Sequence, residues 1–292
     1  MNVMSIAERL HRTAKASFWR TIAPELHIDN RPASARLDLA PQLDAEVARM
    51  RSDGRASLER VVPVALCSRL ADAVRRLHDA RIPTPFLYVF DEAWEVAAEL
   101  AGAFEALVGG EPWILPDVWA WFVPRDARAR GWAPHRGVDY DVRDARGTPT
   151  LVNAWIALSD VTADAACMHV VPLPVDPHYP HSLDRIDVPE ALGVPLPVPA
   201  GSLLAWNGNV LHWGGRMAES AHGPRISMSF TVRRDSEPGA MRPGEAPAFD
   251  ARVDLVADML VTYDSSARVA PDWLEWARLS RGMRKARAGY RS

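Results

Sequence analysis

The chain has 292 residues, 48% of them hydrophobic, and a formal net charge of −3, which suits one elaborated domain with a large core and offers no basic stripe for nucleic acid. Its two cysteines, Cys67 and Cys167, have no CxxC spacing, so neither a disulfide framework nor a zinc signature is present. The first twenty residues lack the apolar stretch of a secretory signal, and no run approaches 18 apolar residues, so a cytoplasmic protein with no membrane partner is expected.

The first hundred residues read as helical. Met4 to Ala16 and Pro41 to Arg51 have helical spacing, and a short strand is expected at Leu58 to Val62. Val64 to Ala80 places Leu66, Leu70, Val74 and Leu77 on one stripe. Asp91 to Val108 forms a second amphipathic helix, with Asp91 as N-cap and Gly109-Gly110 as its stop. From Trp113 the texture changes to short β-prone runs divided by Pro, Gly and Asp: Val118 to Val123, Thr150 to Leu158, Met168 to Val171, Ser202 to Trp206 and Ile226 to Arg233. Such spacing suggests a sandwich or barrel. Pro172 to Pro199, rich in Pro, His and Asp, reads as a long loop of the kind that forms lids and governs substrate selection. Asp254 to Thr262 and Pro271 to Lys285 close the chain as helices, and the Arg-rich stretch Arg278 to Arg291 reads as a solvated face. A single domain over 1–292 is expected: a helical part at 1–112, a β core at 113–235 and closing helices at 250–292, mainly β with flanking helices.

Two histidines stand apart from the other seven. His135 begins HRGVDYD after GWAP, and His212 lies in GNVLHWGGR, just past GSLLAW. Arg225 follows 13 residues later, in PRISMSF. Oxygen-activating non-haem iron takes two imidazoles and usually a carboxylate on one face, leaving the other open. A histidine and a residue two positions on point the same way from a strand. A buried arginine is suited to the far carboxylate of a keto acid because its planar fork binds in two places, and Ser227 shares its strand face. His11, His27, His78 and His222 read as ordinary surface or core residues, His178 and His181 as solvated loop residues. His169 on its strand faces either the site or the core. Of eleven tryptophans, Trp119 and Trp121 share a strand face, and Trp121 and Trp213 are the candidates for an apolar substrate pocket, with His169 and Asp139 as further pocket candidates.

Four segments in order, GWAPHRG, GTPTLVNAWIALSDVTADAACMHVVP, GSLLAWNGNVLHWGG and RISMSF, resemble the phytanoyl-CoA dioxygenase family over about Trp113 to Arg233. The resemblance implies a double-stranded β-helix (jelly-roll, cupin-like) core and an oxidoreductase using Fe(II), 2-oxoglutarate and O2. It implies His135 and His212 as iron ligands, Arg225 and Ser227 as holders of 2-oxoglutarate, and Trp155 in the same pocket. The family's His-x-Asp is here His135-Arg136-Gly137, so the carboxylate is missing. Iron halogenases resembling this family carry Gly or Ala at that place. Glycine there leaves a position in which chloride can sit and restore the lost negative charge, so that a substrate radical collects halogen rather than hydroxyl. Three readings stay open: halogenation with halide at Gly137; hydroxylation with water or Asp139 as third ligand, Asp139 reaching the metal only through a tight turn at Gly137; and a non-catalytic relative that binds a small ligand. The partner expected is a small-molecule substrate, free or carrier-tethered, whose identity the sequence does not specify.

Overall fold

The computed structural model describes residues 5–28, 40–267 and 269–289. Where one helix is expected from Met4 to Ala16, two form: α1 (Ile6–Thr13), with Ser5 accepting from the Glu8 amide, and α2 (Ala16–Ile22). Met4 lies outside the described residues. After α3 (Ala40–Asp53), strand β1 runs Arg55–Leu58, three residues earlier than its pattern suggests. Pairing fixes this shift: β1 aligns with the strand at Leu203–Asn207, and Arg60, at φ 53°, turns the chain out of the sheet. α4 (Val64–Asp79) buries the predicted stripe. The helix expected at Asp91 to Val108 is divided at Leu100 into α5 (Asp91–Glu99) and α6 (Ala101–Val108), and α6 stops on left-handed Gly109. Asp91 is not a cap; its carboxylate accepts from the buried guanidinium of Arg252 at 2.5 Å.

The β core holds β2 (Trp113–Val123), β3 (Leu151–Ala157), β4 (Met168–Val170), β5 (Val194–Leu196), β6 (Leu203–Asn207), β7 (His212–Gly214) and β8 (Arg225–Arg233). They form two antiparallel sheets, ordered β1-β6-β3-β8-β2 and β5-β4-β7, the double-stranded β-helix that the resemblance implies. The strand period of two then sorts residues by face. Val118, Ala120, Val152, Ala154, Ile156, Ile226, Met228, Phe230 and Val232 all join the core built with the helices. The opposite face carries Trp119, Trp121, Asn153, Trp155, Arg225, Ser227, Ser229 and Thr231 between the sheets. The polar alternation of β8 therefore turns inward, not to water.

α7 (Phe249–Thr262), α8 (Asp264–Ala267) and α9 (Pro271–Gly289) complete the chain. Trp273 and Trp276 of α9 pack on Phe86, which stacks on Trp19 at 4.5 Å. Arg281 and Arg284 of α9 pair with Asp258 of α7 at 2.9 and 2.8 Å, so these tail cations serve a helix contact. Both thiols are free and buried. Among the described residues no helix is long and apolar enough to cross a membrane.

Candidate metal and cosubstrate site

His135 and His212 come from segments 77 positions apart, yet they are direct cross-strand partners. Each backbone amide donates to the other's carbonyl at 3.0 Å, the geometry of a hydrogen-bonded antiparallel pair, whose side chains leave the same face. Their ring centroids lie 4.2 Å apart. Each Nδ1 meets a carbonyl two residues upstream, Ala133 O at 2.8 Å and Val210 O at 3.0 Å. A carbonyl only accepts, so each Nδ1 carries the proton and each Nε2 keeps its lone pair. Burial holds both rings below the ordinary imidazole range; for His212 the nearness of His135 adds to a strong downward shift. Neutral, oriented imidazoles suit a divalent metal.

Across the same cavity, of about 300 Å³, lies a second constellation. Arg225 is almost fully buried, and its Nη1 donates to Ala166 O at 2.7 Å. Burial lowers its pKa to about 10, so it stays cationic at neutral pH. Its Nε, the Ser227 hydroxyl and the Trp155 indole N–H are all buried without a partner. Unpaired buried donors are costly and rare; three together beside a cation describe a cradle for an anion. Two glycines allow the guanidinium to sit there. A Cβ on Gly131 would lie 2.5 Å from the Gly214 Cα and 3.2 Å from Arg225 Nη2, and one on Gly214 would lie 2.4 Å from the Gly131 Cα.

Gly137 faces a space that is partly furnished. An added Cβ would lie 2.9 Å from Asn153 Nδ2, itself buried and unpartnered. Trp206, the cross-strand partner of Asn153 and 4.7 Å from His212 by ring centroids, also has an unpaired indole N–H. No group of three His, Cys, Asp or Glu side chains among the described residues could hold a metal.

Asp139 is not brought to the metal. It is exposed, and among the described residues it forms no metal-holding group with the two histidines. The Gly137 and Val138 amides both donate to Gly208 O, and Asn209 clamps the continuing chain by donating to Tyr140 O at 2.6 Å. Trp121 lines the cavity. Trp213 and His169 do not: they stack on each other at 5.4 Å, and Trp213 packs with Val171 and Leu211. They are paired across β4 and β7, the register that carries His212 inward and therefore turns its neighbour Trp213 outward. Pro172 to Pro199 contributes nothing to the cavity wall; it holds two 3-10 turns and β5. Its link to the site is Arg136, which donates to Asp176 at 2.6 Å in a nearly solvent-free ion pair.

The cavity residues that the sequence reading misses include Asn153, Asp117, Glu237 and Tyr263. Asn153 and Asp117 lie two residues before inward-facing tryptophans, a signal that the strand period carries, although a register shift between Ile114 and Val118 blurs it for Asp117. Glu237 and Tyr263, beyond the β core, have no local signal.

Residues 119–222 match the model of the phytanoyl-CoA dioxygenase family. The match spans 104 of the 292 residues, about a third of the chain. The family is one of iron- and 2-oxoglutarate-dependent enzymes, and the chain is an enzyme of this type. Among solved structures, it is similar to the epimerase SnoN in complex with Fe3+, alpha ketoglutarate and nogalamycin RO, at 21% identity and a TM-score of 0.53, covering 74% of this chain and 90% of that one. It is also similar to the non-heme monooxygenase ThoJ in its apo form, at 16% identity and a TM-score of 0.54, covering 81% of this chain and 98% of that one. At these identities the likeness shows a shared fold.

Proposed function

We propose that this protein uses Fe(II), 2-oxoglutarate and O2 to functionalise a C–H bond of a small molecule, with a halide in the position facing Gly137. The observation that carries the reading is the set of unfilled groups: two Nε2 lone pairs on one side, and the unpaired Arg225, Ser227 and Trp155 donors on the other.

Bound iron and the keto acid together supply the oxidising power for removing a substrate hydrogen. The protein's part is placement. His135 and His212 hold the metal through Nε2. Arg225 takes the far carboxylate of 2-oxoglutarate, Ser227 donates a further hydrogen bond, and the Trp155 ring, 5.7 Å from the guanidinium carbon, closes the pocket against water. For chlorination, R–H, chloride, a proton, 2-oxoglutarate and O2 give R–Cl, succinate, CO2 and water. For hydroxylation, the proton and chloride are not consumed and R–OH forms.

Halide is favoured because the residue opposite the metal has no side chain, no described carboxylate completes a ligand triad, and Asn153 Nδ2 and Trp206 Nε1 offer unpaired donors beside that position. A buried N–H donor without a partner is well suited to a small anion.

The test is product mass from iron-loaded enzyme with 2-oxoglutarate and O2, in chloride, in bromide and in halide-free buffer. Halogenation gives a product that gains the mass of whichever halogen is present less that of the hydrogen it replaces. A product gaining 16 mass units whatever the salt identifies a hydroxylase. Gly137→Asp is the companion variant. The new carboxylate must displace the Asn153 amide, a flexible group, so we expect a folded protein that binds metal more tightly and ignores halide. Unchanged halogenated products from Gly137→Asp would sink the halide assignment.

A further inference from the structure

Along the inner face of β8 the side chains run Arg225, Ser227, Ser229, Thr231, Arg233. At about 3.3 Å per residue the two ends are roughly 26 Å apart. The Arg225 end is the keto-acid cradle. The other end carries a group with no role so far, Asp117.

Asp117 sits in β2 next to the register shift that precedes Val118. Irregularities of this kind re-aim a side chain, and here the carboxylate turns into the cavity. Its Oδ1 accepts from Tyr263 at 2.5 Å and its Oδ2 from Thr231 at 2.7 Å. Both donors are neutral. No ion pair reaches Asp117 among the described residues, and Arg233, on the same strand face, pairs with Glu237 at 2.7 Å. The carboxylate is thus held rigidly by two hydroxyls while its charge has no cation against it. It also lies close enough to His135 to act on that ring's charge, yet it forms no metal-ligand group with the two histidines.

The wall beside it is aromatic. Trp132 lies 4.9 Å from Tyr263, 5.4 Å from Trp119 and 5.3 Å from Trp121 by ring centroids. All four rings border the same cavity. The faces of such rings attract cations, by about 0.5–2 kcal/mol each, and a fixed carboxylate adds charge complementarity that a neutral ligand cannot use.

We propose that this end of the cavity recognises a substrate bearing a protonated amine or a quaternary ammonium, with Asp117 as the specificity-determining residue and Trp119, Trp132 and Tyr263 as its aromatic wall. The proposal rests on the reading of the Arg225 end as the cosubstrate cradle, which leaves this end for the substrate.

The experiment uses the full chain, with and without metal and 2-oxoglutarate. The probes are tetramethylammonium and a neutral molecule of the same tetrahedral shape, tert-butyl alcohol, and phenethylamine against 2-phenylethanol. Tryptophan fluorescence and thermal melting report binding at the tryptophan wall without requiring turnover. We expect saturable binding of the cations at least tenfold tighter than of their neutral partners. Asp117→Asn, which keeps the shape and two hydrogen-bonding atoms, should remove that preference, while its Co(II) affinity stays within about twofold of wild type. Tyr263→Phe should keep much of the preference, because the ring remains. Equal binding of cation and neutral probe, or a preference that survives Asp117→Asn, overturns the proposal. So does a loss of Co(II) affinity in Asp117→Asn as large as that in His135→Ala, which would make Asp117 a metal-supporting group. Should His135→Ala and His212→Ala leave Co(II) affinity untouched, the metal reading itself has failed, whatever the probes do.

Discussion

Single atoms decide most of the candidate chemistry. Arg225 contributes a planar fork with one arm tied to Ala166 O and Nε free. Lysine in its place keeps the charge and loses the fork. Since hydrogen bonds to charged groups are worth about 1.5–3 kcal/mol, Arg225→Lys should weaken 2-oxoglutarate binding roughly 10–100-fold while leaving metal affinity unchanged, as read by anaerobic titration of the metal-loaded protein. At this scale the sequence is legible where two signals coincide. His135, His212 and Arg225 stand out because residue type and surroundings agree, and the structure draws all three to one cavity. Asp139 stands out by type alone, and in the structure it is exposed to solvent. Asn153 is unremarkable as a letter; only the short distance from a would-be Cβ at residue 137 marks it.

Elements place those atoms, and the placement is sensitive to backbone approach. Gly214→Ala would drive a Cβ to within 2.4 Å of the Gly131 Cα, a backbone atom that cannot rotate away. Overpacking of that sort costs about 1–3 kcal/mol, so a lower melting temperature and weaker 2-oxoglutarate binding are expected together, since the displaced segments flank the guanidinium. The Arg136–Asp176 pair joins the His135 segment to the 172–199 segment. Its side chains are 3% and 0% exposed, and removing one partner of a buried pair costs roughly 3–5 kcal/mol. Asp176→Asn should therefore lower the melting temperature by several degrees, a change that differential scanning calorimetry resolves. Strand existence was readable from β-prone runs and turn residues, and the helical stripe of α4 from its period. The start of β1 was not, because its register is set by β6, some 150 positions away. The division between α5 and α6 was not either, since Leu100 is itself a good helix former and Gly102, two positions on, lies inside α6. Short β7, only three residues long, carries too little pattern to be seen alone, yet it delivers His212.

For the molecule as a whole, histidine burial sets the response to acid. The folded state holds His212 well below its ordinary range, chiefly by desolvation and next by the nearness of His135, whereas the unfolded chain titrates it near 6.5. Below that pH the unfolded state binds more protons, so stability of the metal-free protein is full above about 6.5 and declines as pH falls. Melting temperatures from pH 8 to 5 should trace this decline, and His212→Asn should flatten it; a wild-type curve no steeper than that of the variant would show that His212 does not control the response. The layering behind this behaviour, helices on the outer face and polar side chains within, was legible as fold class because helical and β-prone stretches segregate along the chain. Which strands would meet was not, since pairing partners are set by contacts distant in sequence.

The two-ended interior of β8 has an evolutionary corollary. One end of the strand answers to a cosubstrate whose chemistry never varies, while the other, eight residues away and joined by Asp117 and Tyr263 from outside the strand, answers to whatever molecule is modified. Mutation can accumulate at the second end without disturbing the first, so a lineage built on this scaffold can exchange one target for another and keep its oxidative engine intact.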